Sequence, residues 1–287
     1  MKKLFVELNL LISLIFLGLT LSFPTFLAIA AANNRPERIV SISPSLTEIL
    51  FAIGAGQQVV AVDNISNYPP DAPTSPLSAM EPNMEAIATF EPDLVVLSYD
   101  IGGLVKGLNT IGINTILLPA ALNFEEILNQ IIELGQVTGN LDQARELVEE
   151  MNTEMTSLIS MRKSKVRMSV YHEIDENYYS PSTNSFIGSI YRLLNLHNIA
   201  DQADKDGVGY PKLSPEYILS SNPGMIILPG KTPEYVAKLK NRPGWSAIDA
   251  VKQERFLIID PDIGSRWGPR IVAFAKAVVA RSDLDEN

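Results

Sequence analysis

Asn83-Met84-Glu85-Ala86-Ile87, followed by Glu91-Pro92-Asp93 and then Leu94-Val95-Val96-Leu97, is the stretch on which the fold turns. It returns later as Ser214-Pro215-Glu216-Tyr217-Ile218, then Asn222-Pro223-Gly224, then Met225-Ile226-Ile227-Leu228. Glu216 and Pro223 each lie 131 residues beyond their counterparts Glu85 and Pro92 (216 − 85 and 223 − 92). Each copy holds a helix-capping residue, an acid in the first turn, a short helix, a proline stop and a run that reads as a buried strand. One device used twice at constant spacing predicts two quasi-symmetric lobes.

The surrounding pattern agrees. Arg38 to Ser43, Val59 to Val62, Leu94 to Ser98 and Thr115 to Leu118 are short apolar runs separated by helix-length or turn-rich segments. The same grammar restarts at Val166 to Tyr171 and continues through Met225 to Leu228 and Phe256 to Ile259. Continuous apolar strands of this kind suit parallel sheets covered on both faces. Ser45-Leu46-Thr47-Glu48 has the form of a capping box opening the first helix. Between the two series, Ala144, Leu147, Val148, Met151, Met155, Leu158 and Ile159 recur at helical spacing after the capping pair Asn140 and Gln143. Gly and Pro are absent from this segment, as befits a rigid connector rather than a flexible linker. The expectation is therefore an α/β chain of two Rossmann-like lobes with parallel sheets, joined by one long connecting helix. Residues 31–139 form the first lobe, 140–163 the connector and 164–287 the second lobe.

The first thirty residues read differently. Lys2 and Lys3 precede an apolar run from Leu10 to Ile29, and Ala28-Ile29-Ala30 offers the small residues a signal peptidase needs. Export with cleavage after Ala30 is the expectation, with a retained membrane anchor as the alternative. The chain has no cysteine, so neither a disulfide nor a lipidated N-terminal cysteine is expected. Its formal charge of −10 becomes about −11 once Lys2, Lys3 and Glu7 are removed. Such a chain lacks the clustered cations that bind phosphate backbones, so no nucleic-acid partner is expected.

Taken together, Arg38-Ile39-Val40-Ser41, Pro44-Ser45-Leu46-Thr47-Glu48-Ile49-Leu50, Asn67-Tyr68-Pro69-Pro70, Glu91-Pro92-Asp93-Leu94-Val95, Asn198-Ile199-Ala200-Asp201, Tyr210-Pro211 and Pro269-Arg270-Ile271-Val272 give the chain its family likeness. In their order and spacing it resembles the periplasmic binding proteins for cobalamin, haem and ferric siderophores. The resemblance implies a monomer that captures a metal chelate between its lobes and delivers it to the permease and ATPase of an ABC importer, with no intrinsic cofactor or metal. It implies that Glu85 and Glu216 dock on permease arginines. It also points to Tyr99, Tyr179, Tyr210, Asp262, Arg266 and Trp267 as ligand contacts. The cargo stays open among an iron chelate, haem and a corrinoid, because Ile65, Ala79 and Met80 stand where cobalamin binders of this kind carry aromatics. For haem, Tyr99, Tyr210 or His172 would be the axial ligand.

Two other function classes compete. Glu48, Asp63, Asp100, Glu173, Asp175 and Asp262 supply carboxylates to a hydrolytic reading, but the chain shows no nucleophile elbow, phosphate loop, catalytic cysteine or paired-histidine metal motif. No enzyme is expected. An extracellular sensor domain would use the same cleft. Two histidines, His172 and His197, are too few for a histidine cage around zinc.

Overall fold

The computed structural model describes residues 35–163 and 166–282, so the apolar leader and the expected cleavage after Ala30 lie outside the described residues. Strand β1 (Ile39–Ile42) leads into α1 (Pro44–Ala52), and β2 (Val59–Val62) follows. The first repeat copy becomes α2 (Met84–Ala88) and β3 (Leu94–Leu97), and α3 (Leu104–Thr110) leads to the edge strand β4 (Asn114–Leu117). These strands pair in parallel in the order β2-β1-β3-β4. Central β1 and β3 are buried along their whole length, which explains why both read as unbroken apolar runs.

Two helices then run back to back. α4 (Phe124–Thr138) is capped by the Asn123 side chain and ends on Gly139 in the left-handed conformation, as glycine permits. α5 (Leu141–Lys163) has 23 residues, about 34 Å at 1.5 Å per residue. It packs against α4 and against the last helix of the chain, burying Ala144, Met151, Met155 and Leu158.

The second series repeats the first. It comprises β5 (Ser169–His172), α6 (Phe186–Leu193), β6 (His197–Asn198), α7 (Pro215–Ser221), β7 (Met225–Pro229), α8 (Pro233–Lys240), α9 (Asp249–Lys252), β8 (Phe256–Ile259), α10 (Pro261–Ser265) and α11 (Ile271–Ser282). Its sheet is again parallel, in the order β6-β5-β7-β8. Each strand thus occupies the rank of its counterpart. The repeat is visible atom by atom. Asn83 Oδ1 accepts from the Ala86 amide at 2.8 Å, and Ser214 Oγ accepts from the Tyr217 amide at 3.1 Å. Glu91 (φ 48°) and Asn222 (φ 42°), both immediately before the stop proline, turn left-handed at the end of each copy.

One expectation fails. The capping box at Ser45 and Glu48 does not form. α1 already begins at Pro44 behind Ser43, whose side chain makes no capping bond, so Ser45 stands inside the first turn, past the position from which a side chain caps the helix. Glu48 instead turns inward and is buried.

Residues Pro36–Asn287 form one compact unit. Ile39, Leu46 and Ile49 from the first series and Val170, Ile190 and Phe274 from the second belong to the same buried cluster, bridged by Met151 and Met155 of α5. The two sheets therefore share a core. Among the described residues, no helix is long and apolar enough to cross a membrane.

Candidate functional site

The carboxyl ends of the strands in both sheets border a cavity of about 570 Å³, which is where open α/β sheets place their ligands. From the first sheet come Tyr99, two residues past β3, and Ala120 to Leu122 beyond β4. From the second come His172 and Ile174 at the end of β5, Pro181, the start of α6 with Phe186 and Ile187, the loop bearing Val208 and Tyr210, and Pro229 at the end of β7. Asn184, Ser185, Pro261, Gly264, Ser265 and Trp267 complete it. Among the described residues, no Asp, Glu, Lys or Arg lines it.

Local bonding explains how these side chains are presented. The Asp204 carboxylate accepts from Asn184 Nδ2 (2.9 Å) and from the amides of Val208 (2.9 Å) and Gly209 (3.0 Å). It thereby fixes the loop that carries Val208 and Tyr210. Tyr210 is pushed up from its ordinary pKa, chiefly by burial, and both it and Tyr99 line the cavity. Two phenols from opposite lobes thus face one volume. Glu173, fully buried next to His172, is bound through both oxygens by Arg242 (2.6 and 3.0 Å) and accepts from Tyr171 Oη (3.1 Å) and Tyr235 Oη. The Arg242 guanidinium stacks 4.6 Å from the Trp245 ring. This cluster anchors the chain that carries Ile174 into the cavity. His172 is pushed down to about 3 by burial.

Of the ligand contacts expected from sequence, Tyr99, Tyr210 and Trp267 line the cavity. Tyr179, Asp262 and Arg266 lie outside its lining. Tyr179 forms a bridge with Lys212, whose ammonium lies 6.0 Å from its ring. Arg266 is 8% exposed and belongs to a clasp between the beginning and the end of the fold. Glu48 receives Arg266 Nη1 (2.9 Å), Arg270 Nε (2.8 Å) and Arg270 Nη2 (2.5 Å). Arg266 also donates to the Ile65 carbonyl (3.0 Å) and pairs with Asp262 (2.9 Å), which accepts from Asn67 (2.9 Å). Arg270 stacks on Tyr68 at 4.1 Å.

The carboxylates that a hydrolytic reading would use are similarly engaged. Glu48 and Glu173 are held by arginines. Asp63 accepts from the Ile65 amide (2.9 Å) and Ser66 Oγ (2.8 Å), and its carboxyl is pushed up by burial. Asp100 accepts from the Val105 amide (3.0 Å) and Asp175 from the Asn177 amide (2.9 Å). None of these lines the cavity. Among the described residues, no group of three or more His, Cys, Asp or Glu could hold a bare metal ion. Away from the cleft, Glu85 and Glu216 stand exposed in the first turns of α2 and α7.

Sequence reasoning missed Leu122, Ile174, Phe186 and Val208 as lining residues. The available signal was position, since each follows a strand end or opens the next helix. His172, at the end of a strand and a candidate axial ligand for haem by sequence, lines the cavity.

Residues 39–263 match the model of the family described as Periplasmic binding protein. The chain is 29% identical to an uncharacterized ABC transporter substrate-binding lipoprotein of Bacillus subtilis, over 84% of this chain and 78% of that one. It is 27% identical to a vitamin B12-binding protein of Salmonella choleraesuis, covering 90% of this chain and 92% of the relative. Among solved structures, a possible iron-binding (periplasmic solute-binding) protein of Staphylococcus epidermidis superposes with a TM-score of 0.75 at 28% identity, over 86% of this chain and 99% of that one.

Proposed function

The chain belongs to the periplasmic binding protein family, and from that premise we propose that it captures a corrinoid in the cleft between its sheets and hands it to a permease. It is the substrate-binding component of an ABC importer. The observation that carries the choice of cargo is the uncharged lining of a cavity walled by Tyr99, Tyr210, Phe186 and Trp267. Aromatic faces suit a flat macrocycle, supplying area with few rotatable bonds. An ionised group enclosed without a partner costs several kcal/mol. A macrocycle fringed by neutral carboxamides avoids that cost, whereas haem brings carboxylates and catecholate chelates bring several negative charges. The length-wide similarity to a vitamin B12-binding protein supports the same choice.

Export, cleavage after Ala30 and action as a monomer outside the cytoplasmic membrane belong to this reading. Glu85 and Glu216 are its docking carboxylates, one on each lobe, facing solvent and opposite-charged permease groups rather than the cargo. The test is an absorption titration of the purified protein with cyanocobalamin, haemin and a ferric hydroxamate. Saturable binding of cyanocobalamin at micromolar concentration or below is expected. Tight binding of haemin or the hydroxamate with none of cyanocobalamin would overturn the corrinoid assignment, and binding of none of the three would overturn capture.

A further inference from the structure

His172 closes β5 and lines the cavity while keeping 4% of its surface exposed. Its Nδ1 lies 2.6 Å from the hydroxyl of Tyr191. Tyr191, in α6, is fully buried against the imidazole on one side and Phe274 on the other. Among the described residues the phenol has no other hydrogen-bond partner. A neutral imidazole carries one N–H and one lone pair, so the contact fixes which nitrogen holds the hydrogen. With the hydrogen on Nδ1, the ring would donate to the phenol oxygen, and the phenol's own hydrogen would be stranded in an apolar core at a cost of about 1–3 kcal/mol. With the phenol donating to Nδ1, both groups are satisfied. The ring hydrogen is then on Nε2. Among the described residues Nε2 has no hydrogen-bond partner, and it is not among the polar atoms sealed from solvent, so it is reached from the cavity that the residue lines.

We infer that His172, held in its Nε2–H form by Tyr191, donates a hydrogen bond to a neutral acceptor oxygen at the rim of the captured ligand and does not ligate the ligand's metal. The inference rests on the capture reading above. A nitrogen that carries hydrogen has no lone pair for cobalt or iron. A ring that stays uncharged also offers no countercharge to a carboxylate. The acceptor that matches is a carboxamide carbonyl, and a macrocycle fringed by such groups meets the donor at its edge rather than at its metal. Tyr191 is accordingly a positioning residue, acting through the imidazole.

The experiment uses protein labelled with ¹⁵N-histidine. The chain has two histidines, so His197→Gln leaves a single ring. Long-range ¹H–¹⁵N correlation of the ligand-free protein at pH 7 is expected to show a protonated Nε2 and an unprotonated Nδ1. Tyr191→Phe is expected to shift the Nδ1 resonance. A protonated Nδ1 overturns the inference. In the second arm, cyanocobalamin is expected to move the Nε2–H resonance. His172→Phe should weaken it about three- to tenfold, the worth of one hydrogen bond, and His172→Gln, which keeps a donor, should recover most of the loss. Loss of a metal-ligand band from the bound chelate in His172→Phe would show ligation and overturn the donor role. If wild type binds no chelate, the capture reading and the donor role fall together, while the ring pattern reports separately on whether the tautomer was right.

Discussion

At the scale of single residues, burial holds the His172 ring near pKa 3, against 6.5 for an exposed imidazole. Between those values the unfolded chain carries a proton that the folded chain does not, so acid favours unfolding. The contribution is fully present above pH 6.5 and is lost as the pH falls toward 3. From pH 7 to pH 5 the ring should remove about 2 kcal/mol of stability. His172→Gln should flatten the pH dependence of the urea midpoint by that amount, and an unchanged acid slope in the variant would contradict the assignment. Single residues are also where the sequence was least legible. Glu48 had every local mark of a capping residue, yet its partners Arg266 and Arg270 lie 218 and 222 residues away. Glu173 meets Arg242 across 69 residues. Local spacing holds no information about such pairs. Tyr99, Tyr210 and Trp267 were legible as cavity-lining candidates through family resemblance. That resemblance was silent on which of its polar positions the clasp would occupy.

At the scale of elements, the repeat was legible because every part of it is local: a cap, an acid in the first turn, a proline stop and a strand fit within fifteen residues. The paired sheets follow from it, since β3 and β7 each take the third rank of their sheet. The half-exposed edge strands β4 and β8 were legible through composition, whereas β6 is two residues long, too short for any periodicity to register. The symmetric placement of Glu85 and Glu216 at exposed helix starts makes a separable prediction. A carboxylate in a helix's first turn is typically favoured by the dipole by about 0.3–1 kcal/mol, so the docking role is tested on uptake rather than on stability. Glu85→Ala combined with Glu216→Ala should leave the affinity for cyanocobalamin unchanged and lower cellular uptake severalfold. Wild-type uptake by the double variant would remove the docking role.

At the scale of the whole molecule, a shared core, the long α5 and the Glu48 clasp tie both sheets together at several places. Such a scaffold resists wide hinge motion, so the cleft is largely preformed and little ordering accompanies capture. X-ray scattering curves with and without ligand should nearly superpose. Glu48→Gln tests the clasp itself. Leaving Arg266 and Arg270 without their carboxylate should cost about 3–5 kcal/mol in denaturant unfolding and enlarge the radius of gyration. A variant of wild-type stability and size would mean that core and helix suffice. The clasp also has a consequence in time. Chains emerge from the ribosome amino end first. Glu48 has no counterion to be buried against until Arg266 and Arg270 arrive more than two hundred residues later. Completion of the chain, rather than completion of either lobe, is therefore the event that makes this protein fully stable, and a chain truncated before Arg266 should be the form that proteases find first.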